Sequence, residues 1–255
     1  MLLVGLCSIT YRNKSVDEVI EVCQQAGVEG IEWGGDVHVP PGDIELATTV
    51  REKTEAAGLS VCSYGSYYRC DKEQVDFTMV LDSALALGTK VIRVWAGSKG
   101  SSDADESYRA EVVEHIRNAL DLATEKGITI ALEYHGGTLT DTHASTHQLL
   151  KEVNKPELKL YWQTRAGGKY ETDIVELEAA LPYLSHVHCF NWGATGWQDK
   201  KPLSEGTDDW REYLKRVKSI GGDRFVIFEF VKDETDQQLI DDAQTLRNLL
   251  DSLDA

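Results

Sequence analysis

Eight times along this chain a short apolar run is followed by an amphipathic or capped segment, with a period of about 30 residues. The runs fall at Leu2–Cys7, 28–33, 59–64, 90–95, 128–133, 158–163, 185–191 and 224–231. Ser15-Val16-Asp17-Glu18 is a capping box opening a helix that Gly27 stops. Val113, Ile116, Leu120 and Ala123 stripe a later helix at spacings of three and four, and Leu239, Ala243, Leu246, Leu250 and Leu253 stripe the last one. Strands that alternate with helices form parallel sheets. Eight such units in 255 residues predict an α/β fold: a single (β/α)8 TIM barrel over 1–255, with its active site at the C-terminal ends of the strands. The rival, an open doubly wound sheet, normally carries a Gly-rich fingerprint after its first strand; Cys7-Ser8-Ile9-Thr10-Tyr11 has none.

Totals narrow the function. A 42 % hydrophobic content is enough for a sizeable core, and a net charge of −17 argues against a nucleic-acid backbone or an anionic membrane as partner. The five cysteines are odd in number and contain no C-x-x-C pair, which reads as buried thiols in a reducing compartment. No run approaches the ~20 apolar residues needed to span a bilayer. The first apolar run lacks the basic lead of a signal peptide. The expectation is a soluble, cytoplasmic protein.

The chemistry collects at strand exits. Ile128-Thr129-Ile130-Ala131-Leu132-Glu133-Tyr134-His135 runs into Gly136-Gly137, and residues two apart share a strand face, so Glu133 and His135 point the same way. Gln163, His188 and Glu229 follow at the ends of the next three runs, 30, 25 and 41 residues apart. Around one barrel mouth, two carboxylates, an imidazole and an amide oxygen could hold one divalent ion, Mn²⁺, Mg²⁺, Co²⁺ or Zn²⁺. A carboxylate ending a near-continuous apolar run must be paired, coordinated or functional, which weakens the reading of Glu133 and Glu229 as plain strand caps.

Several motifs carry a family resemblance: Gly27-Val28-Glu29-Gly30-Ile31-Glu32, Leu132-Glu133-Tyr134-His135, His186-Val187-His188, Leu203-Ser204-Glu205-Gly206 with Trp210, and Phe228-Glu229-Phe230. Over nearly its whole length the chain resembles the sugar phosphate isomerase/epimerase group of the xylose isomerase-like TIM barrels. The resemblance implies a metal-assisted enzyme in which Glu, Asp, His and Glu from successive strands bind the ion and the two glutamates move protons. Carried over, these are Glu133, Gln163, His188 and Glu229. Two departures stand out: Gln163 replaces the Asp and Ala166 replaces a His three residues on. The amide removes a negative charge from the ion's surroundings and shifts metal affinity or preference.

On that basis the expected reaction is isomerisation or epimerisation of a small sugar, sugar phosphate or related ketone through an enediolate. An inosose-type dehydratase and a non-catalytic carbohydrate-binding barrel are the alternatives. His135 and Arg165 are expected to hold substrate oxygens. Arg93, inside an apolar strand, is expected either to do the same or to pair with Glu32 or Glu133. Tyr67, Tyr68, Trp192 and Trp197 fit equally as sugar-facing walls, hydrophobic seals or contacts of a homo-oligomer. His186, one layer deeper than His188, reads as structural; His38, His115, His143 and His147 read as solvated.

Overall fold

The computed structural model describes residues 1–72 and 75–253. Its parallel strands are β1 (Leu2–Cys7), β2 (Gly30–Gly34), β3 (Ser60–Gly65), β4 (Val91–Val94), β5 (Thr129–Glu133), β6 (Lys159–Trp162) and β7 (Leu184–Cys189). A two-stranded antiparallel ribbon, β8 (Asn191–Trp192) with β9 (Lys200–Lys201), interrupts the series before β10 (Arg224–Phe228). The hydrogen-bonded order β1-β10-β7-β6-β5-β4-β3-β2 closes into a barrel. The helices between strands are α1 (Val16–Ala26), α2 (Ile44–Ala56), α3 (Phe77–Leu87), α4 (Glu106–Glu125), α5 (His143–Val153), α6 (Tyr170–Ala180), α7 (Thr207–Ser219) and α8 (Asp236–Ser252). None of the described helices is long and apolar enough to cross a membrane. The eightfold repeat therefore folds as the (β/α)8 barrel it predicts; the ribbon, hidden in what reads as one long loop, is an addition.

Packing divides the chain into two compact units, one of residues 1–32, 52–60 and 162–255, the other of 33–51 and 61–161. In the first, β1 pairs with β10 from Leu2↔Arg224 to Leu6↔Phe228 and with β2 through Cys7↔Glu32, while β10 meets β7 at Ile227↔His188. Gly5 and Gly30 are register partners, and a Cβ on Gly30 would come within 2.6 Å of the Phe225 ring. The two glycines thus make room for Phe225, against which His186 packs edge-on at 5.7 Å. In the second unit, β3, β4, β5 and β6 run side by side, with Arg93 beside Ala131 and Glu133 beside Tyr161.

Local signals act as their chemistry dictates. Ser15 and Glu18 form the reciprocal capping box, and the helix ends at Gly27 with φ 66°. A cap of this kind is worth about 0.5–2 kcal/mol. Asn154, with φ 50°, does for α5 what glycine does elsewhere. All five cysteines are buried, and none forms a disulfide. His38 corrects the solvated reading: it is buried, edge-on against Trp33 at 5.6 Å, because the 35–39 turn folds back and Val39 gives its carbonyl to the Tyr64 hydroxyl. His115, His143 and His147 are half-buried.

Candidate active site

The unit containing β7 places one imidazole among three oxygen-bearing side chains. His188 has no solvent exposure, and its Nδ1 lies 2.9 Å from Gln163 Oε1 and 3.4 Å from Glu229 Oε2. On the other side of the ring, Nε2 lies 3.4 Å from Glu32 Oε1, to which the Cys7 thiol donates at 3.1 Å. Cys7 and Glu32 are opposite one another across β1 and β2, which is why two residues 25 apart in the chain meet. Gln163 lies one residue beyond β6 and Glu229 one beyond β10, where strand geometry has just ended and a side chain is free to turn toward its neighbours. Thr10 fixes the last of these: its hydroxyl donates to the Glu229 carbonyl.

This arrangement suits a divalent ion on chemical grounds. One imidazole nitrogen, one amide oxygen and one carboxylate oxygen lie within hydrogen-bonding or charge-pairing range, the mixed N/O donor set that Mn²⁺, Mg²⁺, Co²⁺ or Zn²⁺ accepts. Cys7, Glu32 and His188 form a further group able to hold an ion, with a thiol among its donors.

The unit containing β5 holds a second cluster. Glu133 is buried at the end of β5, and its Oε2 accepts from the Arg93 guanidinium and, at 2.5 Å, from the Trp95 indole. Of the partners open to Arg93 in the sequence, Glu133 is therefore one that it takes. Two buried charges are costly apart, so the pair holds both side chains in place. His135 stacks on Trp95 at 4.4 Å, the Arg69 guanidinium lies 4.2 Å from the same ring, and Tyr67 meets it edge-on at 5.1 Å. Tyr67 and Cys70 sit at φ 58° and 55°, left-handed conformations that cost of order 1–3 kcal/mol each and recur where a loop must aim its side chains. The His135 Nδ1 is 2.6 Å from the Gly136 carbonyl. A carbonyl only accepts, so Nδ1 donates there and Nε2 keeps its lone pair.

Other expected binders have different surroundings. Arg165 directs Nε at Glu176 on α6, 2.8 Å from Oε2 and 3.1 Å from Oε1. Its backbone N–H donates to Asp173 at 3.4 Å, and burial raises that carboxyl to about 7. Trp192 packs on Phe190 and Phe230 at 4.5 and 5.7 Å, sealing the base of the ribbon, whereas Trp197 near its tip is 66 % exposed. His186 lies below His188 with Nδ1 accepting from the Phe225 N–H. Three residues outside the expected ligand and substrate-binding set belong here: Cys7, Glu32 and Thr10. Glu32 carried the same signal as Glu133, an acid in an apolar strand. Thr10 carried none, since its role depends on a carbonyl 219 residues away.

Comparison with known proteins adds relatives to this geometry. The chain is 29 % identical over 204 residues, 73 % of this chain and 71 % of the relative, to a 3-dehydroshikimate dehydratase of Bacillus anthracis. It is 24 % identical over 197 residues to an inosose dehydratase of Erwinia tasmaniensis, covering 69 % of this chain and 64 % of that protein. Among solved structures, a Bacillus anthracis protein described as a probable 3-DHS dehydratase of petrobactin synthesis superposes with a TM-score of 0.81 at 24 % identity, over 96 % of this chain and 99 % of that one. An L-ribulose 3-epimerase gives 0.77 at 15 % identity, over 100 % and 96 %. A xylose isomerase-like barrel from Mycobacterium smegmatis in complex with magnesium gives 0.76 at 16 %, over 99 % and 98 %. The family model for the xylose isomerase-like TIM barrel matches residues 20–251. With that match spanning most of its length, this chain belongs to the xylose isomerase-like TIM barrel family.

Proposed function

We propose that the two units work as one barrel domain, an enzyme that removes water from a small polyhydroxy ketone with the help of one divalent ion. Glu133, Gln163, His188 and Glu229 hold the ion. The observation that carries this is the approach of Gln163 Oε1 and Glu229 Oε2 to the same His188 nitrogen. The order β10-β7-β6-β5, which makes the four strands consecutive neighbours, supports adding Glu133. When bound, the ion supplies positive charge that lowers the cost of an enolate.

The protein's own groups do the rest. His135, with Nδ1 committed to the Gly136 carbonyl, offers Nε2 as the base that takes the proton from the carbon beside the ketone. The electron pair left on that carbon forms the new double bond as the hydroxyl one carbon further on departs. The imidazolium returns its proton to that hydroxyl, so the products are an unsaturated ketone and water, with no change in oxidation state. Trp95 holds the imidazole ring by stacking, and Arg93 with Tyr67 line the same wall.

Dehydration is favoured over isomerisation or epimerisation by the surroundings of Glu133. An isomerase that shuttles protons between two glutamates needs both to be available, and Glu133 Oε2 already accepts from Arg93 and Trp95. The activities named for both curated relatives run the same way. The test is a panel of cyclic and open-chain hydroxyketones incubated in D₂O with Mn²⁺ or Mg²⁺, read by mass spectrometry. A product lighter by one water, absent with chelator and absent in His135→Asn, is the expected result. Deuterium exchanged into an isomeric product of unchanged formula would point to the isomerase instead, and recovery of every ketone unaltered would remove the enzymatic reading.

A further inference from the structure

His188 is a two-sided residue. One nitrogen faces the oxygens proposed above as ligands, and the other faces Glu32, a carboxylate with no solvent exposure whose Oε1 lies 3.4 Å away. Nothing in the proposed chemistry uses Glu32, yet an acid is expensive to place there. Its position follows from the fold: Glu32 stands opposite Cys7 across β1 and β2, and Cys7 donates its thiol proton to the same Oε1.

We infer that Glu32 is a positioning residue that orients His188 for the metal. The step rests on the metal-site reading of the previous section. Gln163 Oε1, 2.9 Å from Nδ1, accepts its proton when no ion is bound; a carboxylate on the far side of the ring can accept from Nε2 instead, favouring the tautomer that would leave the Nδ1 lone pair for the ion. Pairing of a ligand imidazole with a carboxylate through its other nitrogen also makes the imidazole a better donor to a cation. Here that has a particular use. Gln163 brings an oxygen without a charge, so the donor set is one negative charge poorer than it would be with an aspartate. Glu32 restores a negative charge on the far side of the His188 ring, and the Cys7 thiol holds the carboxylate in place.

The experiment measures binding of Mn²⁺ to the full chain by titration calorimetry, in the parent, Glu32→Gln, Glu32→Asp and His188→Gln, with circular dichroism confirming folding. Disruption of such a partner typically lowers metal affinity about 10–100-fold. The expected result is a loss of that size in Glu32→Gln and a smaller loss in Glu32→Asp, which keeps the charge but shortens its reach. His188→Gln should lose the site. If His188→Gln binds Mn²⁺ like the parent, the metal-site reading fails. If His188→Gln loses the ion while Glu32→Gln keeps parental affinity, that reading survives and the positioning role is overturned. Should Glu32→Gln fail to fold, the Co²⁺ spectrum of the parent decides. Absence of a thiolate-to-cobalt charge-transfer band, together with weakened binding in Glu32→Asp, supports the orienting role; its presence would make Cys7 a ligand and overturn it.

Discussion

Asp173 gives the sharpest quantitative test of the structure. Its side chain is 4 % exposed, on α6 beneath the turn that carries Arg165, and its carboxyl is raised from 3.8 to about 7, chiefly by burial. The Arg165 backbone N–H, which donates to it, and the Arg165 charge offset only part of that cost. An acid held above its unfolded value binds its proton more tightly folded than unfolded. Stability therefore falls as pH rises from about 4 to about 7 and is flat on either side, as far as this group is concerned. A shift of about three pH units at about 1.4 kcal/mol each sets a ceiling of about 4 kcal/mol on the effect. Asp173→Asn keeps the shape and the acceptor for the Arg165 N–H while removing the charge. At pH 8 the variant should be more stable than the parent by up to about 4 kcal/mol, which for a chain of this length is a rise in melting temperature of roughly 10 °C. At pH 4 the two should melt together. Thermal scans of both proteins between these limits measure it directly. Equal melting temperatures at pH 8 would mean that the carboxylate carries no burial penalty and that this side of α6 is packed differently.

Three further tests follow from the same geometry. Arg93→Met leaves Glu133 as a buried charge and should cost about 3–5 kcal/mol in urea denaturation, while Arg93→Met with Glu133→Leu recovers most of it. Thr10→Val strips the buried Glu229 carbonyl of a donor and should lower stability by about 1–3 kcal/mol, seen as a lower urea midpoint. Trp197→Ala removes a largely exposed ring and should leave the melting curve within about 0.5 kcal/mol of the parent; a larger loss would show that the tip of the ribbon is packed.

How much of this was legible in the sequence depends on how local each cause is. Strand, helix and cap follow from residues a few positions apart. The eight apolar runs, the Ser15/Glu18 box and the glycine stops accordingly give the (β/α)8 architecture without coordinates. The i, i+2 relation is equally local: it predicts Glu133 and His135 on one face, and both side chains lie against Trp95. The ribbon of β8 and β9 was missed because two-residue strands carry no periodicity to detect.

Partner choice is another matter. Arg93 could have reached for either of two acids, and one that it takes, Glu133, was decided by strands β4 and β5 lying side by side. That α6 presents Glu176 to the Arg165 guanidinium, expected to hold substrate oxygens, could not be read from either segment alone. Cys7 with Glu32, and Thr10 with the Glu229 carbonyl, join residues 25 and 219 positions apart. The sequence determined which residues are polar at the ends of apolar strands, because that is a property of each strand alone. Only the tertiary structure decided which of them face one another, because strand neighbours in a barrel are set by its closure and register, and neither is encoded within any one segment.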